Sequence, residues 1–282
     1  SQSRMMNQFL TRKLREFAWT LRGMNSKGKK VSDLRKEKEK MMSVIYSMLC
    51  ICLGNPPEKF DWQTRDKKNK FIRLTDLTPF DFYKKHSNVN LKDKVCLIHA
   101  PMSNKKMNEL YTVDFLGNVI GGQIIKYANV EIEDIKRAAI KSIKNNESIW
   151  FGCDVGKMFH RDLGLMDMDL YDYEAIFNTK FSMKKSTRLE YGDSQMTHAM
   201  LFTGVDLNSK NEPKKWRVEN SWGNKGGDKG YHVMTDKWFD EYNYEVVVHK
   251  DCISEELFDL FLNEEAIHLD PWDPMGALAR SV

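Results

Sequence analysis

Two side chains have the types and spacing for proton transfer. His198 carries an imidazole, which can both accept and donate a proton, and Asn220, 22 positions further on, offers a neutral carboxamide. An amide oxygen accepts from one ring nitrogen, fixes the ring, and leaves the other nitrogen to face a nucleophile. Trp222 stands two residues beyond, placed to cover that hydrogen bond and keep water off it.

The elements that must position these residues read as a pair of strands. Residues 197–205 crowd apolar and β-forming residues together, with Gly204 the only breaker and His198 near the start. Residues 215–219 alternate Trp216 and Val218 with charged residues and deliver Asn220 at their end, ahead of Gly223, Gly226, Gly227 and Gly230. Adjacent strands would set the imidazole and the carboxamide side by side. Upstream, residues 131–146 place Ile132, Ile135, Ala139, Ile140 and Ile143 on one helical face, and a strand follows at 148–155.

The pairing of THAM with ENSWG, followed by GDKGY, resembles the His and Asn stretches of papain-like cysteine peptidases. The segments CICLGNPPEKFDW, LTPFDFYKKH, LYTVDFLGNVIGG, SIWFGCDVGKMF, VENSWG and WDPMGALA narrow the likeness to the bleomycin-hydrolase branch and spread it over nearly the whole chain. The resemblance implies an α+β papain-like fold: a helical segment at 1–56, inserted hairpin and helix elements at 57–128 that make oligomer contacts, the barrel half with His198 and Asn220 at 129–266, and an extended C-terminal arm at 267–282. It implies a thiol aminopeptidase acting on peptides, with His198 as proton shuttle, Asn220 as its orienter and Trp222 as the shield. A homo-oligomeric ring, with six subunits the candidate number, is part of the same expectation, and no cofactor or metal is. In this branch the arm lies in the cleft with its terminal carboxylate blocking one end; here Arg280, Ser281 and Val282 continue past Ala279.

One part of the pattern is missing. Papain-like enzymes carry a glutamine and a nucleophilic cysteine that opens a helix, well before the histidine, and no such segment occurs here. Cys50 and Cys52 fall late in an apolar helical run, Cys96 and Cys153 in short strand-like runs, and Cys252 after the Asn, so each reads as a small packed hydrophobe. Cys153 lies only 45 residues before His198 and opens no helix. The expectation is the C-terminal portion of such a peptidase, without its nucleophile and inactive alone; a catalytically dead relative serving as a structural or nucleic-acid-binding subunit is the alternative.

Composition bounds the remaining classes. With 41% hydrophobic and 11% aromatic residues the chain can build a packed core, which excludes a disordered polymer. Five unevenly spaced cysteines argue against a disulfide framework and for a reducing compartment, no apolar run is long enough for a membrane span, and residues 1–30 lack a leader-like apolar core, so a cytoplasmic setting is expected. The start at Ser1 fits a fragment. Residues 1–40 hold twelve Lys or Arg against four Asp or Glu, a net of +8 within an overall +4. Such asymmetry marks either a solvated helical face, the commoner case, or a surface for nucleic acid.

Helical spacing covers residues 7–21, with Gly23 the expected stop, and a second helix is expected from Ser32 as N-cap to Gly54 and Pro56, with a methionine-rich face packed as core. Residues 59–74 read as a hairpin, and Thr78-Pro79-Phe80-Asp81 opens a short helix to His86. Further short strands are expected at 95–98, 110–116, 231–234 and 245–248, and a helix at 255–262. His86, His99 and His160 lack metal-ligand spacing and read as structural, and the acidic run 162–174 lacks the glycine and terminal glutamate of a calcium loop.

Overall fold

Helical periodicity at the N-terminus becomes two long helices, α1 (Ser3–Ser26) and α2 (Val31–Leu53), in a computed structural model that describes residues 3–279 except 88, 118 and 120. Gly23 does not end α1. A glycine in an exposed helix costs only about 1 kcal/mol, and the reversal waits for Gly28, whose φ of 73° and amide bond to Asn25 O at 2.9 Å make the turn. The second helix starts at Val31, with Lys30 rather than Ser32 at the cap, and ends at Gly54, whose amide bonds Cys50 O. Its methionine-rich face is buried only at Met41; Met42, Ile51 and Leu53 stay exposed, because a two-helix hairpin can cover only its mutual seam. Strands β1 (Phe60–Arg65) and β2 (Phe71–Leu77) form the expected hairpin, with a return strand three residues longer than the pattern suggested. Helix α3 (Pro79–His86) follows, capped by Thr78 Oγ1, which accepts from Asp81 N at 3.1 Å. Phe82 and His86 pack on Trp62 of the hairpin. Together these elements are the first of two compact units, residues 1–89.

The second unit is built on one mixed sheet. Its elements in chain order are β3 (Lys94–Ile98), β4 (Glu109–Val113), β5 (Tyr127–Asn129), α4 (Ile132–Lys144), β6 (Ile149–Cys153), β7 (Phe159–His160), β8 (Leu165–Met166), α5 (Tyr173–Phe177), α6 (Lys185–Glu190), β9 (His198–Leu207), β10 (Pro213–Glu219), β11 (Tyr231–Thr235), α7 (Asp236–Tyr242), β12 (Asn243–His249), α8 (Glu255–Asn263) and β13 (Ile267–Leu269). The strand order is β13-β4-β5-β3-β12-β6-β9-β10-β11-β8-β7. The short strands expected at 95–98 and 110–116 are β3 and β4, and they join this sheet together with β5. Within the segment expected as an extended arm, β13 pairs in parallel with β4, and a 3-10 turn runs over Pro274–Ala279. The extension at Arg280, Ser281 and Val282 lies outside the described residues.

Helix α4 explains where the core sits. Ile135, Ala138 and Ala139 press onto the sheet, where Phe151 and Phe202 stack at 3.8 Å and Phe202, Trp216 and Phe239 continue the aromatic column. Each such side chain taken from water contributes roughly 1.5–3 kcal/mol. The buried indole of Trp216 keeps its donor satisfied on Asp236 at 3.0 Å, and Lys136 clamps Asp236 and Asp240 at 2.6 Å each, so α4 and α7 are tied to one sheet face. A second apolar cluster holds Ile98, Tyr111, Tyr127, Met196, Tyr244, Leu269 and Met275.

Candidate functional site

Strand register brings His198 and Asn220 together. β6, β9 and β10 are consecutive antiparallel neighbours, His198 opens β9, and Asn220 follows the last residue of β10. The pairing of Leu201 with Glu219 carries the end of β10 back toward the start of β9. His198 Nε2 lies 3.0 Å from Asn220 Oδ1. That oxygen also accepts from Ser221 N–H at 2.8 Å, and a backbone amide can only donate, so the carboxamide orientation is set by the chain itself. Nε2 is therefore the protonated nitrogen, and Nδ1 keeps its lone pair with no hydrogen-bond partner among the described residues. Asn220 is buried, its amide bonds Gly230 O at 3.3 Å, and its Nδ2 has no partner among the described residues, so its hold on the ring comes through Oδ1.

Trp222 returns over this pair. Its ring lies 4.9 Å from the imidazole at 35° and is itself 43% exposed, so it covers one side of the ring and faces solvent on the other. The return depends on glycine. A Cβ on Gly227 would stand 2.1 Å from Tyr231 O, and one on Gly230 2.5 Å from Gly223 O. Phe159 packs against the indole at 6.2 Å and Arg161 lies over it at 4.8 Å; neither carried a signal in the sequence, because they belong to β7 and the turn after it, 61 to 63 residues upstream of Trp222.

The cysteines do not complete the site. Cys153 is the cross-strand partner of His198, but it is fully buried in the core and burial pushes its thiol well up, away from the thiolate a nucleophile needs. Cys252 is buried and its thiol is raised for the same reason; Cys96 is pushed up by burial and by the Glu245 carboxylate beside it. Cys52, expected as a packed hydrophobe, is exposed on α2, and Cys50 is half-buried there. The structural histidines have local partners: His99 Nδ1 sits 2.9 Å from Val130 O with its pKa lowered to about 4 by burial and then by Lys185, and His160 Nδ1 accepts from Leu163 N at 3.3 Å. In the acidic run, Asp167 accepts from Asp169 N and Asp172 caps α5.

A mixed sheet flanked by helices, with a strand-borne His held by the Asn that follows the next strand, has the arrangement of a papain-like α+β fold. The Peptidase C1-like family matches residues 1–276, and the chain belongs to it. Mouse bleomycin hydrolase is 46% identical over 283 residues, and aminopeptidase C of Listeria innocua 44% over 279, each alignment covering 99% of this chain and 62% of the relative. The crystal structure of PepW from Lactobacillus rhamnosis HN001 superposes with a TM-score of 0.94 at 46% identity over 98% of this chain and 62% of that one. The chain thus spans about three-fifths of the length of the relatives it matches.

Proposed function

We propose that these residues are the His–Asn portion of a cysteine aminopeptidase that removes residues from the N-termini of peptides. The observation that carries the reading is the fixed tautomer at His198, with Nε2–H given to Asn220 and Nδ1 left as a base. A cysteine supplied from outside these 282 residues would transfer its proton to Nδ1, forming a thiolate–imidazolium pair. The thiolate attacks the scissile carbonyl carbon; as the C–N bond breaks, Nδ1–H returns its proton to the leaving amine, and the acyl group remains as a thioester. Water, deprotonated by the same nitrogen, then releases the acid and the thiol. Trp222 keeps bulk water from the Nε2–Oδ1 bond, so the imidazolium formed in each cycle stays oriented.

Peptides are the substrates on this reading, with a homo-oligomeric ring as the assembly. Among the described residues no helix is long and apolar enough to cross a membrane. The test is turnover of an aminoacyl amide by the full-length protein. His198→Ala should lower kcat by about 10²–10⁴, the range for a positioned acid–base group, while thermal stability holds. Unchanged turnover in that variant, or a native protein whose intact mass equals the 33.1 kDa of this chain, would sink the assignment.

A further inference from the structure

Beside Trp222 is an open cavity of about 390 Å³ whose lining does not include His198. Arg161, Lys225, Asp162, His232 and the glycine loop after Trp222 line it. Arg161 lies over the indole at 4.8 Å and has no ion-pair partner among the described residues. Stacking on an aromatic face holds a guanidinium flat and leaves its N–H edge free for a planar anion. Lys225 is exposed on the same loop, so two cations face one carboxylate, Asp162, and the lining is net positive. His232 is buried, packs edge-on against Phe159 at 5.4 Å, and leaves Nδ1 without a partner among the described residues. The rim is glycine-dependent: a Cβ on Gly164 would strike Gly227 Cα at 2.5 Å.

We propose that this cavity is a carboxylate subsite for the leaving side of the peptide, with Arg161 as its specificity-determining residue. The inference rests on the peptidase reading above. His198 must give its proton to the leaving nitrogen, so the leaving chain departs past the imidazole and the indole packed on it. The steps from imidazole to indole and from indole to guanidinium are 4.9 Å and 4.8 Å, and an extended peptide rises about 3.3 Å per residue, so the side chains of the first two leaving residues come within reach. A Glu or Asp there meets the guanidinium edge in the two-bond geometry that arginine favours.

The test measures binding rather than turnover. Full-length protein carrying His198→Ala is titrated calorimetrically with two peptides that differ only in Glu or Gln at the second and third positions, with and without Arg161→Gln. The Glu peptide should bind about fivefold more tightly, the upper range for one partly exposed ion pair, and Arg161→Gln should remove the preference while Arg161→Lys keeps part of it. A preference under twofold, one that survives Arg161→Gln, or no binding of either peptide overturns the subsite. Absence of hydrolysis by the unmutated protein with the Glu preference intact would instead count against the peptidase reading alone.

Discussion

The ion pair between Lys105 and Asp273 joins positions 168 residues apart and is among the least hydrated contacts in the second unit. Nζ and Oδ2 are 2.7 Å apart, with the two side chains 0% and 8% exposed. The remaining carboxylate oxygen accepts from Met275 N at 2.9 Å, and Met275 is buried in the cluster that also holds Leu269 and Tyr111. Lys105→Met takes the paired cation away from a buried carboxylate, a loss of about 3–5 kcal/mol. With a urea slope of about 2–3 kcal/mol/M, the midpoint of the second unit should fall by about 1–2 M. Tryptophan fluorescence reports that unit well, since five of the seven tryptophans lie beyond residue 89. Replacing both partners, Lys105→Met with Asp273→Leu, should return stability to within about 1 kcal/mol of the parent, because the cost lies in the uncompensated charge. A single variant that shifts the midpoint by less than about 0.3 M, or a double variant no better than the single, refutes this account.

Two further outcomes follow from buried groups in the same unit. Glu245, 3% exposed between β3 and β6, is pushed up to about 8 by burial, against an ordinary carboxylate value of 4.5. The folded state therefore holds a proton that the unfolded state has lost, so its contribution is full below pH 4.5 and fades as pH rises through about 8. Glu245→Gln should flatten that decline and raise the melting temperature at pH 8.5 relative to the parent; an identical pH dependence in the two proteins would rule this out. Gly227→Ala meets Tyr231 O at 2.1 Å and a φ of 57°, so it should destabilise by more than about 1 kcal/mol and loosen Trp222 over the imidazole. Unchanged melting together with unchanged hydrogen exchange at Ser221 N would contradict it.

Local patterns made much of this molecule legible. The alternation around Trp216 and the β-rich run after His198 became β10 and β9 within one to two residues, and Thr78-Pro79 opened α3 as its capping chemistry dictates. Spacing along two strands was enough to pair His198 with Asn220, because period-two geometry and a shared end leave few other placements. Where local signals were weak, packing decided. Gly23 stayed helical, Cys52 faced solvent, and β5 joined the sheet, since a three-residue strand owes its existence to partners on both sides. Arg161 on Trp222, the buried Glu245 and the Lys105–Asp273 pair left no trace in periodicity. Each depends on segments distant in sequence meeting in a dry or narrow space, and only the tertiary structure fixes that meeting.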